Sequence, residues 1–459
     1  PAASVVVPAP HVDSAGTRAK DGPRSGPPDS ASSAKVSPDT SKAPPSDTSA
    51  SKEKRKDKKP KKTPFLTDSA QYIGPDGEFI RKPYKPKWSF DAVNAAIGVD
   101  NYYGAGGLAY LTLSDLMGDQ RISFALSING SIENTNGYVE YAYLPYRTDF
   151  TAMAFQESQN SAYLSFNRDG SNGVFVNDAT DKRYGLGLGM RYPFSPFTRV
   201  EGGLFARFTE RTTVRDVYDS TLSYDSTYTE HTRVDALLPS VAWVHDNAQW
   251  GIVGPVAGRR LMAGVQYLPP IFQDSMSYVK AEADARFYKE IRKRYTFALR
   301  VAGGFSEAVS GYANPHRYYV GGESYTFNAH ANYDHLPDNL AQFYFSDLDF
   351  PLRGYDVFDF RGTRKFLTNA EFRFPFVNEL TFGWPVPFSI TDVMGNLFAD
   401  YGGAWSTGNP FEQLGLGLGY GWRLNLGVFV LKYSRAWPTA GPVGARSGPR
   451  SYWSLGSEF

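Results

Sequence analysis

The chain of 459 residues contains no cysteine. Disulfides and thiolate-bound metals are excluded, and the absence suits an envelope protein that avoids oxidation chemistry, without fixing a compartment. No run of about 18 apolar residues occurs, so no transmembrane helix is expected. Strands of a membrane barrel are short and alternating, and that absence does not bear on them. Residues 1–63 hold no Phe, Trp or Tyr and consist mostly of Ser, Pro, Ala, Lys and Asp. Such a stretch cannot bury enough apolar surface to offset the entropy of ordering it, so a disordered tail is expected there. The start at Pro1, with neither Met nor a charged-then-apolar leader, reads as that of a processed or truncated chain.

Motifs of catalysis are missing as well. No G-x-S-x-G elbow and no H-E-x-x-H pair appears. The glycine runs Gly185–Gly189 and Gly415–Gly421 place glycine at every second residue with no helix after them. They read as strand faces that clear space rather than as phosphate loops. His316, His330 and His335 share a segment with Asp334, Asp338, Asp347 and Asp349, but without the twelve-residue spacing of a calcium loop. They read as solvated loop charge. The expectation is a protein that is not an enzyme and carries no cofactor and no metal.

What is present is uneven. Residues 1–87 carry 17 Lys and Arg against 10 Asp and Glu, and the remainder 31 against 37. A basic leading part therefore precedes a slightly acidic body. Lys52–Lys62 is a charge block, read as solvated linker, with contact to anionic phosphates, lipid or polymer as the sharper alternative. No aromatic residue interleaves with it, so nucleic acid is not an expected partner. Residues 64–87 form a lead-in linker punctuated by Gly74-Pro75-Asp76-Gly77.

From Trp88 onward the period is two. Ile122, Phe124, Leu126 and Ile128 alternate with Arg121, Ser123, Ala125, Ser127 and Asn129, as a wall between lipid and a wet interior requires. A soluble sandwich also alternates, so the count of strands matters more. Sixteen segments qualify, among them 149–166, 182–192, 197–212, 229–245, 250–268, 364–375, 393–404 and 451–459. Connections alternate between short turns and the long stretches 167–181, 213–228, 307–363 and 435–450, with 376–392 as a long connection on the short side. The fold class expected over 88–459 is all-β, a 16-stranded antiparallel transmembrane β-barrel with short turns at one end and long extracellular loops at the other. An even count would put both termini, and the tail, on the periplasmic side.

The candidate site lies in the long segment 307–363. Its tip reads Leu352-Arg353-Gly354-Tyr355. The following strand carries Asn369, Glu371, Arg373 and Pro375, and the next carries Phe398, Asp400 and Gly402. Parity places Glu371 with Asn369 opposite Phe366, Phe372 and Phe374, and Asp400 opposite Leu397, Ala399 and Tyr401. Both carboxylates should therefore face the interior. The chain ends Leu455-Gly456-Ser457-Glu458-Phe459.

Together these motifs resemble the BamA/TamA-type outer-membrane barrel superfamily, also called bacterial surface antigen. The resemblance covers most of 88–459, and Ser457 stands where a hydrophobic residue is usual. It implies that segment 307–363 folds into the lumen and that Arg353 pairs with Glu371, Asp400 or both. It implies that Leu455, Gly456 and Phe459 form the signal read by the barrel assembly machinery. It further implies a protein that inserts or translocates others through a weak seam between first and last strands. Expected partners are outer-membrane lipids, that machinery, and client proteins or envelope-complex subunits. The alternative is a structural anchor for a periplasmic or surface module. Residues 1–87 cannot hold the POTRA domain usual in BamA-type members, and Lys82-Pro83-Tyr84-Lys85-Pro86 with Leu113–Asp119 resembles a branch with an upstream TolB-like propeller.

Overall fold

Large apolar side chains point out of this fold and charged ones point in. On one strand Leu186 and Leu188 are 60% and 62% exposed, whereas Asn369, Glu371 and Asp400 on others are fully buried. A water-soluble sheet shows the opposite sense. A sheet set between lipid and a polar interior shows this one.

The computed structural model describes residues 78, 84–100, 104–129, 131–166, 174–218, 223–272, 276–324, 326, 340–349, 351–383, 388–409, 413–426, 430–440 and 448–455. The expected tail at 1–63, nearly all of the lead-in 64–87, and Gly456 and Phe459 lie outside the described residues. Two units are distinguished, one of them Val6–Lys85, and the fold below is that of the unit holding Pro86–Phe459.

In chain order the strands are β1 (Trp88–Asp100), β2 (Gly104–Asp115), β3 (Gln120–Asn129), β4 (Ser131–Tyr143), β5 (Asp149–Phe166), β6 (Val174–Pro193), β7 (Thr198–Tyr218), β8 (Tyr224–Asp246), β9 (Gln249–Gly251), β10 (Gly254–Leu268), β11 (Tyr278–Arg292) and β12 (Tyr295–Ala308). There follow β13 (Arg317–Val320), the short helix α1 (Leu340–Tyr344), β14 (Ser346–Asp349), β15 (Phe360–Gly362), β16 (Arg364–Phe382), β17 (Phe388–Trp405), β18 (Gly415–Asn425), β19 (Val430–Ala440) and β20 (Arg450–Leu455). A single antiparallel sheet of seventeen strands results. All but one of these form a meander in which each strand pairs with the next, β8 passing to β10 and β12 to β16. The remaining strand, β9, is a three-residue piece laid against β10. Within segment 307–363, β13 pairs parallel with β14 and antiparallel with β15 in a small separate sheet. Among the described residues no ladder joins β1 to β20.

Several connections are shorter than the sequence suggests. Strand β6 begins at Val174 rather than 182, and β7 and β8 run to Tyr218 and from Tyr224. Apolar alternation stops before these strands do, and ion pairs take over: Arg211 with Asp181, Arg215 with Glu230, Arg233 with Glu210. The supposed long connection 376–392 is mostly ladder, with Phe382 opposite Phe388. Strand β19 continues to Ala440. Segment 250–268 is two strands, because the chain reverses at Gly254, whose φ of 142° suits glycine. That reversal tucks Val253 against Met394 and Val430. Arg373 donates to the Pro255 carbonyl at 2.9 Å and Asn425 to that of Ile252 at 2.8 Å. The β9 turn thus crosses from β8 and β10 to β16 and β18.

The inverted exposure predicts an inverted mutational response. In water an exposed Leu→Arg change is worth within ~0.5 kcal/mol. On a lipid-facing strand it costs up to about 2–4 kcal/mol. Leu188→Arg should therefore destabilise the protein by a few kcal/mol in denaturant titration from lipid vesicles. A neutral result would count against a lipid-facing β6.

Candidate functional site: an arginine sealed inside the sheet

Segment 309–359 leaves β12, crosses the polar face of the sheet and returns at β15. Its two legs are tied where Gly322 and Leu352 exchange backbone hydrogen bonds of 3.1 and 2.9 Å. Leu352 is fully buried with Tyr318, Val320, Tyr355, Phe360 and Leu367. Gly354 follows at φ 100°, and a Cβ there would press on the backbone of Trp437 and Pro438 at 3.1–3.4 Å. Both the turn and the close approach demand glycine. The glycine row of β18 supplies the seat. A Cβ on Gly417 would overlap the Arg353 carbonyl oxygen, and one on Gly415 would meet the rings of Tyr355 and Phe360.

Arg353 is 1% exposed. Its Nε and Nη2 donate to the two oxygens of Asp400 at 2.6 and 2.9 Å, and its backbone N–H donates to Oδ2 at 3.1 Å. Asn369 adds a fourth donor to Asp400 at 2.8 Å. The guanidinium carbon lies over the Phe398 ring, 3.3 Å from its centroid. This bidentate fork is the strongest ion-pair geometry open to a carboxylate. Burial alone would lower the Arg353 pKa, but Asp400, Glu323 and Glu371 raise it above its usual value. The charge is permanent at any physiological pH.

The second expected partner, Glu371, stands 4.0 Å from Arg353 Nη1 and is engaged elsewhere. It accepts from Arg423 at 2.8 Å, from Arg373 at 3.0 Å, and from Asn396. Glu323, on the loop, lies 3.9 Å from Arg353 and 3.3 Å from Lys432. Three carboxylates and four cations therefore interlock in one dry cluster. Motif reading did not find Glu323, Arg423, Lys432 or Asn396. The last three sit at interior parity on β18, β19 and β17, and a charge or amide at such a position is the signal that was available.

Strand β20 also belongs to the site. Two of its interior-facing residues bond the loop through their side chains, and a third meets it through its backbone. Arg450 pairs with Asp356 at 2.8 Å, Tyr452 accepts from the Gly354 N–H at 2.9 Å and donates to the Tyr355 carbonyl at 2.8 Å, and Ser454 bridges to Thr326. Leu455 ends the described strand opposite Leu431. At the other side of the loop, α1 and Phe345 dock on β6 to β8. Phe343, Tyr344 and Phe345 lie under the guanidinium groups of Arg211, Arg183 and Arg207 at 4.7–5.4 Å, and Tyr344 donates to Asp181. Among the described residues no group of His, Asp and Glu is arranged to hold a metal.

The Omp85 superfamily domain matches residues 118–459. Among solved structures the chain is similar to BamA from Haemophilus ducreyi lacking POTRA domains 1–3, with 14% identity and a TM-score of 0.51 over 81% of this chain and 70% of that one. It is similar also to CdiB from Escherichia coli, with 12% identity and a TM-score of 0.46 over 82% and 64% of the two chains. CdiB from Acinetobacter baumannii gives 12% identity and a TM-score of 0.42 over 80% and 59%. The chain thus spans less than two thirds of either CdiB. Comparison with curated proteins gives no significant match.

Breaking one partner of a buried pair costs ~3–5 kcal/mol, because the other is left charged and dry. Arg353→Ala and Asp400→Ala should each lower the temperature at which the folded form is lost on heated gels. Arg353→Lys should fall between, since an ammonium cannot repeat the fork. The double change Arg353→Met with Asp400→Leu should recover part of the loss. Wild-type heat resistance in Arg353→Ala would show that the pair does not hold the loop.

Proposed function

The chain belongs to the Omp85 superfamily, a family of outer-membrane assembly and transport barrels rather than enzymes, and on that premise we propose that it is a closed barrel of sixteen wall strands that assists the insertion, assembly or translocation of proteins at the bacterial outer membrane. Closure is supported from inside. The loop touches strands from β6 round to β20, and the β9 turn spans from β10 to β18. A flat sheet cannot bring such distant strands to one segment. The tail is assigned to the periplasm and the loop to the outside, as the strand count implies.

The observation that carries the proposal is the hold on β20. Its described part, six residues long, pairs with β19. Two of its interior-facing side chains, Arg450 and Tyr452, are bound to the loop that Arg353 seats, and the backbone of Ser454 bridges to Thr326 of the same loop. Loop docking and the security of the last strand are thereby one equilibrium. A loosened loop frees β20 to expose a template edge on which an incoming strand can pair. The tetrad Leu352, Arg353, Gly354 and Tyr355 with Asp400 is then the seam's lock, Glu371 holds the wall around it, and Leu455, Gly456 and Phe459 form the assembly signal. Client proteins and envelope subunits are the partners this reading requires.

The second reading, a structural anchor for a periplasmic or surface module, is favoured by the loop's attachment to two walls at once. Depletion separates the two. If the protein assists assembly, levels of other outer-membrane barrels should fall on depletion while inner-membrane proteins hold steady; unchanged barrel levels would leave only the anchor. Tyr452→Phe tests the lock itself. It leaves a buried N–H and a carbonyl unpaired, at about 1–3 kcal/mol, and should lower heat resistance less than Arg353→Ala does. No change would detach β20 from the mechanism.

A further inference from the structure

We propose that the outer surface of β18 to β20 carries a binding site for the phosphate group of an anionic lipid, built on Arg435. The inference rests on the reading that this sheet faces lipid, and its test does not depend on any role in protein assembly. Over the central stretches of the last five wall strands the outward rows are apolar, small or hydroxylated with one exception; beyond them, the outward Arg364 at the start of β16 pairs with Glu307 at 2.6 Å. The central rows run Phe366, Thr368, Ala370, Phe372, Phe374 on β16; Gly395, Leu397, Ala399, Tyr401, Gly403 on β17; Leu416, Leu418, Tyr420, Trp422, Leu424 on β18; Leu431, Tyr433, Arg435, Trp437, Thr439 on β19; and Ser451, Trp453 on β20. Arg435 is the sole charge in this panel.

Every arginine of the interior site has a carboxylate. Arg353, Arg373 and Arg423 all do. For Arg435 the structure gives no such pair among the described residues, and its Nε is buried from solvent without a hydrogen-bond partner. Tyr420 and Ser451 flank it in register, the Trp437 ring centroid lies 5.7 Å from its guanidinium, and the Tyr420 ring lies tilted beside Trp437 at 5.8 Å. One step toward the turns, Tyr433, Trp422 and Trp453 form a ring cluster at 4.9–6.0 Å, and the Tyr433 and Ser451 hydroxyls are 3.4 Å apart.

Aromatic side chains in such numbers mark the level where acyl chains meet headgroups. Hydrocarbon offers a guanidinium no acceptor, so a charge on this surface must reach the headgroup layer or draw an anion to it. A phosphate accepts the guanidinium fork as a carboxylate does. The rings on either side cover the start of an acyl chain, which favours a lipid phosphate over a free one. The site backs directly on the loop seat, since Trp437 and Pro438 are the residues against which Gly354 packs.

The test uses the full chain folded into phosphatidylcholine vesicles, with brominated phosphatidylglycerol or brominated phosphatidylcholine as a quencher of tryptophan fluorescence. The wild type should favour the anionic lipid by roughly fivefold, the worth of a single basic side chain at a membrane surface. Trp437→Phe should remove the preferential part of the quenching, Arg435→Gln should abolish the preference, and Arg435→Lys should retain some of it. An equal preference in Arg435→Gln and the wild type would overturn the proposal. Loss of the preference on adding inorganic phosphate would also overturn it, since the ligand would then be a soluble anion. Should Arg435→Gln not fold, the wild type against Trp437→Phe decides: identical lipid selectivity in the two sinks the site.

Discussion

A permanent positive charge placed in a dry interior has to be matched on the spot, and the pairing of Arg353 with Asp400 meets that demand. Four donors meet two oxygens, and an aromatic face covers the guanidinium. Elsewhere, the segment between β12 and β16 pairs Asp349 with Lys365 at 2.6 Å and Asp347 with Lys280 at 2.8 Å. Its small sheet is only three strands of three or four residues, and its one described helix has five. Elements that short do not hold themselves together. The loop is ordered because its tip is bound to the wall, and the wall's geometry is cut to receive that tip.

The cut is visible in the glycines of β18. Removing a side chain at every second position costs strand stability, since glycine loses the most entropy on folding. The return is a trough deep enough for the Arg353 carbonyl and the Tyr355 ring. The same row looked like a nucleotide-binding run in the bare sequence, and the absence of a following helix was the correct ground for rejecting that. Its true use, as a seat for the loop, needed the loop's position.

Parity was the most legible property of the chain. It put Asn369, Glu371 and Asp400 inside, gave β5 at its true limits, and located the loop between the right strands. It weakened where apolar alternation gave way to charged ladders, as on β6 to β8, because a strand that rises beyond lipid has no reason to keep one face greasy. The pairing of Arg353 was half legible. Motif resemblance offered two carboxylates, and geometry selects one: Asp400 takes the fork, while Glu371 compensates Arg373 and Arg423, cations of the wall itself. Glu323 and Tyr452 were beyond the sequence. One lies in irregular backbone where parity has no meaning, and the other looks like any inward tyrosine until the loop is laid beside it.

The consequence for function turns on how β20 is secured. Among the described residues, ladder bonds to β19 extend over six residues of β20. Side-chain bonds to the loop add an ion pair and two hydrogen bonds through one hydroxyl, and a backbone bridge joins Ser454 to Thr326. Deprotonation of Arg353 does not relax the charged cluster, because the raised pKa keeps the guanidinium cationic. On the proposed function, a competing strand that pairs with β20 and replaces the lost bonds would tie opening of the seam to the arrival of a client.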